Sequence, residues 1–293
     1  MQNVCTFLME DQRVLVIDAG SHSIRYGWAG DDAPAGVTAT ASFDALDDEP
    51  LIRDGRFASM RRLGDLFDSL VPSLPHWYGS LPEADNRPHA LLLAVPYRST
   101  PADYASILTL AFDRLGLEAV FFVNAVFAGH MASGRNTTLS VDCGHSHISI
   151  FPVTEGYRLP RAQTSAAIGG HDVGRACTSF LIELLDGRTP SQDEISRFRE
   201  QCPLVRSIAP NAPAPDGVVF VLDDASEIVV PGHIRSACGE VLFFPPIIQR
   251  DVTGLADLIV EAIRACDVDA RRIMATNVFR TSALPPALLA SHL

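Results

Sequence analysis

At 293 residues, with 47% hydrophobic side chains and a mean hydropathy of +0.15, the chain is long enough to bury two cores and too apolar to remain disordered. Its formal charge of −12 excludes a general binder of nucleic acid or of anionic membrane, because those polyanions repel an acidic surface. Six cysteines, at positions 5, 143, 177, 202, 238 and 266, make no C-x-x-C pair and no metal spacing, so they read as reduced thiols of an intracellular protein.

Residues 1–12 read as a leader that lacks the basic region and uninterrupted apolar core of a signal peptide. No apolar stretch approaches the roughly 20 residues a transmembrane helix needs. The organising segment follows, Arg13 to Pro34. Its apolar run Val14 to Ile17 predicts a buried strand, Asp18-Ala19-Gly20-Ser21 a tight turn, and Ile24, Tyr26 and Trp28 a returning strand. In such a turn Gly20 lets backbone approach an anion, while backbone N–H groups and the Ser21 hydroxyl donate to phosphate oxygens. Arg25 adds positive charge, and Asp18 is placed to hold magnesium through water. Taken alone this is also an ordinary hairpin. Leu139 to Val153 repeats the pattern, however: Asp142-x-Gly144 is followed by Ile148 as Asp18-x-Gly20 is by Ile24. Two such hairpins, one per half, predict two related lobes with a polyphosphate between their loops.

Between the copies, Ala35 to Glu49 reads as loop or weak strand, and Leu63 to Phe67 as a short amphipathic helix. Ala90–Val95 and Val120–Val123 predict buried strands. A helix between them starts at Thr100 as N-cap with Pro101 at its first position and closes at Gly116. This alternation is the α/β signature. After the second loop, Gly169-Gly170-His171-Asp172 opens a helix that Gly187 ends, and Ser191 to Glu194 is a capping box for another. Pro203 to Pro215 reads as a surface loop, Val218–Leu222 and Ile228–Val230 as paired strands, and Val260–Arg264 as helix followed by a turn at Cys266 to Arg271. His145 and His147 are placed on one face of a strand and read as solvated side chains in preference to zinc ligands.

Several longer motifs resemble actin and the actin-related proteins. They are Gly27-Trp28-Ala29-Gly30-Asp31-Asp32-Ala33-Pro34, Ala132 to Thr138, Glu155 to Pro160, and Cys266 to Arg271, in family order. The resemblance implies an α/β, two-lobed actin-like ATPase-domain fold, each lobe a mixed sheet flanked by helices. The first lobe is expected over 13–135 and the second over 136–293. Fifteen residues between Pro34 and Pro50 stand where actin carries its filament-loop subdomain, and Phe279 to Ser282 stand where the family has a glycine pair, so a C-terminally truncated member is expected.

By the same resemblance the phosphate loops are Asp18, Gly20, Ser21 and Arg25 in the first lobe, and Asp142 and Gly144 in the second. Gly170 lines the cleft, and Arg197, Arg199 and Glu200 lie on the helix that reaches the adenosine. Asp18 and Asp142 serve magnesium, with ATP or ADP as the implied ligand. Arginine replaces the usual lysine at position 25. The water-positioning glutamine falls at Asn124 or Ala125, and His145 and Ser149 replace an aspartate and a histidine, so hydrolysis is expected to be lost or very slow. No catalytic residue is assigned. The expected role is a divergent actin-related structural or interaction subunit of a cytoskeletal complex, cytoplasmic, with actin-like or cytoskeletal partners and neither nucleic acid nor membrane. The alternatives are a nucleotide-gated switch with slow ATPase activity, a nuclear chromatin-remodelling subunit, or a fragment of a full actin-like ATPase.

Overall fold

A computed structural model describes residues 13–40, 51–53, 55–75, 87–96, 98–205 and 216–282. The expectations for the leader, for most of the acidic stretch before Pro50, for most of the proline-rich loop and for the last eleven residues, 283–293, lie outside these. The chain divides into two compact units, Met1–Gly129 and His130–Leu293.

The first unit begins with the expected hairpin, β1 (Val14–Ala19) and β2 (Ser23–Trp28). Side chains of β1 alternate strictly: Leu15, Ile17 and Ala19 are buried, while Val14, Val16 and Asp18 are half-buried. That is the period-2 pattern of a strand packed on one face. The strand β3 (Gly36–Ala39) joins β2, and the short ribbon β4 (Ile52–Arg53) and β5 (Arg56–Phe57) follows. Helix α1 (Met60–Leu70) is longer than the segment the sequence marked, because Ser59 caps it and Leu63, Leu66, Phe67 and Leu70 form one buried stripe. Then come β6 (Ala90–Val95), α2 (Pro101–Thr109) and β7 (Ala119–Asn124). The Thr100–Asp103 capping box starts α2 as expected, and the helix runs on through a π turn, Leu110–Arg114, to Gly116 in the left-handed region at φ +65°. The sheet order is β3-β2-β1-β6-β7, with β1 antiparallel to β2 and parallel to β6.

Helix α3 (Ala125–Ala132), which the sequence reading did not mark, runs across the division between the units. The second unit then repeats the first. β8 (Thr138–Cys143) is antiparallel to β9 (Ile148–Thr154), with the short strands β10 (Tyr157–Arg158) and β11 (Thr164–Ala166) also on β9. Helices α4 (Gly170–Leu184) and α5 (Gln192–Gln201) start at the predicted positions. The ribbon of β12 (Val218–Val221) and β13 (Glu227–Val230) is paired as expected. It is followed by α6 (Gly232–Glu240), α7 (Leu255–Ala265), α8 (Val268–Thr276) and β14 (Val278–Ser282).

Three expectations are corrected here. The segment Cys266 to Arg271 is not merely a turn, because Asp267 is the N-cap of α8 and the chain is helical from Val268. Phe279 to Ser282, read only as missing glycines, form β14, which lies parallel to β8. His145 and His147 sit in the turn between β8 and β9 and not on a strand.

Unlike β1, both β8 and β9 are buried on both faces, apart from their ends. Their core includes Leu139, Val141, Ile148, Ile150, Cys177, Leu181 and Phe198. The edge-on pair Phe198 and Phe220, with ring centroids 5.3 Å apart, joins α5 to the ribbon. Among the described residues no helix is long and apolar enough to cross a membrane.

Candidate functional site

The two D-x-G turns have the same local construction. The Gly20 N–H donates to the Ser23 carbonyl at 3.0 Å, and the Gly144 N–H to the His147 carbonyl at 2.9 Å. A Cβ on Gly20 would stand 2.8 Å from the Ser23 oxygen, and one on Gly144 3.2 Å from the His147 oxygen. Both positions therefore call for glycine because backbone approaches backbone, which is the steric reason behind the motif. The aspartates also match. Asp18 faces Arg25 on one side and Ala94 on the other, while Asp142 faces Ser149 and Thr281.

In the first unit Asp18, Gly20, Ser21 and Arg25 all fall at this turn. The Arg25 guanidinium lies 3.3 Å from the Asp18 carboxylate, with both side chains nearly half exposed. Thr40, at the end of β3, braces the turn: its N–H donates to the His22 carbonyl at 2.9 Å and its hydroxyl to the Gly20 carbonyl at 2.7 Å. All 23 basic side chains of this chain are arginines. Arginine at position 25 thus follows a chain-wide preference and carries no site-specific message.

In the second unit Asp142, Gly144 and Gly170 are brought together. The N–H of Gly170 donates to the Gly144 carbonyl at 3.0 Å, and that of His171 to the His145 carbonyl at 2.7 Å. Helix α4 thus spends two of its orphan N-terminal donors holding the turn. The Asp172 carboxylate accepts a third, from Gly169, at 3.1 Å. Gly169 was read in the sequence only as part of a helix start, not as a residue of the turn. A Cβ there would stand 2.5 Å from the Gly144 oxygen and 2.6 Å from the His145 oxygen. Thr281 was missed as well: its hydroxyl donates to the Asp142 carboxylate at 2.8 Å. Neither had a local signal, since each is defined by a partner distant in sequence. His145 packs edge-on against His171 at 5.5 Å between ring centroids. Cys143 beside Asp142 is buried, which pushes its thiol up to about 12 and keeps it protonated.

The three charged residues of α5 take separate places. Arg199 lies over Gly174 of α4, where a Cβ would come within 2.8 Å of its Cζ. That is four residues from Gly170, about 6 Å along the helix axis, so Arg199 is near the second turn. Arg197 instead pairs with Asp223 at 2.6 Å and lies over the Phe220 ring. Glu200 is exposed near the end of the helix.

The positions expected to order water are otherwise engaged. The Asn124 side-chain oxygen accepts the N–H groups of Val126 at 3.1 Å and Phe127 at 3.3 Å, so it caps α3. Ala125 offers no polar group, and Ser149 is buried within the sheet. Among the described residues no three His, Cys, Asp or Glu side chains are grouped to hold a metal. The donors fit a phosphate-bound magnesium in another way. Each turn offers one carboxylate at a strand end and a glycine-lined backbone, as required where phosphate and water complete the coordination.

Comparison with known proteins agrees with these motifs. The Actin family model matches residues 73–200. Actin-related protein 4 of Arabidopsis thaliana is 24% identical, the match covering 92% of this chain and 81% of the relative. An actin-like protein of Neurospora crassa is also 24% identical, over 90% of this chain and 77% of its own length. With its two mixed sheets, its paired D-x-G turns and these matches, the chain is similar to the actin and actin-related proteins.

Proposed function

We propose that this actin-related chain is a structural and interaction subunit of a cytoskeletal assembly, which holds ATP or ADP with Mg²⁺ as a structural ligand and does not hydrolyse it efficiently. The observation that carries this reading is an asymmetry between framework and chemistry. Both glycine turns keep their backbone construction, while the Asn124 amide is committed to capping α3. Phosphoryl transfer to water depends on positioning the nucleophile and stabilising charge, so a kept cradle without water-ordering groups favours binding over turnover.

In this reading the first turn offers Asp18 to a hydrated metal, its Gly20 backbone to phosphate and Ser21 and Arg25 as donors; the second turn, by itself, offers Asp142 and its Gly144 backbone. Gly170 fixes the second turn, and Arg199 lies beside it. Mg²⁺ neutralises phosphate charge when bound. Arg197 and Glu200 are the weakest members of the implied adenosine contact, since Arg197 is engaged by Asp223. The compartment that suits this role is the cytoplasm, with the nucleus as the alternative.

The test is thermal unfolding of the full chain with and without Mg-ATP at about 1 mM, alongside single-turnover release of labelled phosphate. A ligand at 100 times its Kd adds about 2.7 kcal/mol of stability, a readily measured rise in Tm. The expected result is stabilisation that Asp142→Ala removes, with no phosphate release above the uncatalysed rate. Absence of any shift would end the binding proposal; family-like turnover would replace it with the nucleotide-gated switch. The subunit role is checked separately by affinity purification. Recovery as a free monomer with no actin-like or cytoskeletal protein argues against it.

A further inference from the structure

The ribbon of β12 and β13 has two chemically opposite faces. Phe220 and Val230 point inward and are buried, with Val218 and Ile228 packed against the same core. The outward face is formed by two cross-strand pairs, Val219 with Val229 and Val221 with Glu227. Its three valines are 53%, 66% and 44% exposed for Val219, Val229 and Val221 respectively. Isolated exposed valines are ordinary, but three contiguous ones on a two-stranded ribbon with no further strand on either edge among the described residues form a template for pairing.

Charge distinguishes the two ends of this ribbon. The turn end carries exposed Asp223, Asp224 and Glu227. Arg197 pairs with Asp223, and Arg188, which is paired to Glu194, also acts on Asp224, which leaves Glu227 as the acid on the outward face. Hydrogen bonds from Ser226 keep Asp224 ionised well below the usual carboxylate range. At the base end, the Arg235 guanidinium donates to the Asp216 carbonyl and offsets that acid. The surface is therefore an apolar stripe with a negative turn end, on a chain of net charge −12. A basic segment would be attracted to the turn end.

We propose that the outward face of the β12–β13 ribbon is a docking surface for an extended segment of a partner protein. That segment has alternating β-branched apolar residues and a basic residue aligned with Glu227, and it adds to the ribbon as a third strand. Main-chain hydrogen bonds at an edge that carries no further strand among the described residues supply the pairing, the valines supply apolar contact, and the acidic turn sets the direction of the added strand. This inference is independent of the nucleotide reading, since none of its residues belongs to either D-x-G turn.

The experiment uses the full chain and a fluorescein-labelled peptide of alternating lysine and valine, with the matching glutamate–valine peptide as control, read by anisotropy at low salt. The lysine peptide is expected to bind and the glutamate peptide not. Val219→Thr/Val229→Thr should weaken binding at least tenfold while preserving strand shape, with equal Tm and circular dichroism as the check on folding. Glu227→Arg should reduce the preference for the lysine peptide or reverse it. Equal binding of both peptides, no binding up to about 1 mM, the millimolar edge of measurable affinity, or indifference to both variants would overturn the proposal. Sedimentation velocity runs in parallel. A concentration-dependent dimer abolished by the threonine variant would assign the face to a second copy instead, and also overturn it.

Discussion

The turn after β1 and the turn after β8 present the same backbone geometry through different supports. In the first unit one residue, Thr40, satisfies the carbonyls of Gly20 and His22 with its hydroxyl and its N–H. In the second, the N-terminus of α4 satisfies those of Gly144 and His145 with two backbone N–H groups. The aspartates diverge similarly: Asp18 is tied to an exposed arginine, Asp142 to a threonine on a neighbouring strand. A duplicated motif thus conserves the turn itself, which sterics dictate, while the bracing is free to vary. It also means that the two turns should differ in mutational sensitivity.

The largest effect is expected at Gly169. Alanine there would drive its Cβ into two backbone oxygens that cannot move without breaking the α4 contact. A loss of about 3 kcal/mol, the upper part of the range for overpacking, should appear as a lower urea midpoint for the second unit. Sparing of that unit would show that the bracing is adaptable. Next is Thr40→Val, which keeps the shape but leaves the Gly20 carbonyl without its hydroxyl donor. A loss of about 1–2 kcal/mol confined to the first unit is expected. Hydrogen exchange at Ser23 and Ile24 would locate it.

A pH effect of intermediate size follows from His130. It is buried with Nδ1 at 2.7 Å from the Thr138 hydroxyl, and burial holds its pKa below the ordinary value near 6.5. The folded state therefore binds fewer protons than the unfolded state as pH drops through that value. Stability of the second unit is complete above about pH 6.5 and falls below it until the folded-state pKa is reached, by no more than about 1.4 kcal/mol per pH unit. His130→Asn should flatten this slope in urea titrations at several pH values, and an unchanged slope would remove His130 from the account. The smallest effect belongs to Arg25→Ala, which removes an exposed pair worth under about 1 kcal/mol, and Thr281→Val should cost more. Equal losses would contradict the proposed difference in bracing.

Features with a local signature were legible in the sequence. The hairpins, the Thr100 and Ser191 caps, the stop at Gly116 and the β12–β13 pair all stand where residue pattern placed them. The features that escaped depend on distant partners. Val278 to Ser282 have no glycine or alternation that announces a strand, and become one because β8 offers a free parallel edge. Helix α3 was missed because its hydrophobic pattern is weakly one-sided, with the capping signal held by Asn124 at a strand end. Asn124 also shows how one residue can be read for chemistry in sequence and prove to be occupied by local structure.

The sequence by itself determined the duplicated turn, because a glycine that must approach a carbonyl three residues away leaves little choice of residue, and it carried the likeness to the actin-related proteins. Only the tertiary structure decided what holds each turn and which polar groups are already engaged. Thr40, Gly169, Thr281 and Arg199 acquire their roles from neighbours far along the chain, and no spacing within one segment encodes a contact that folding alone creates.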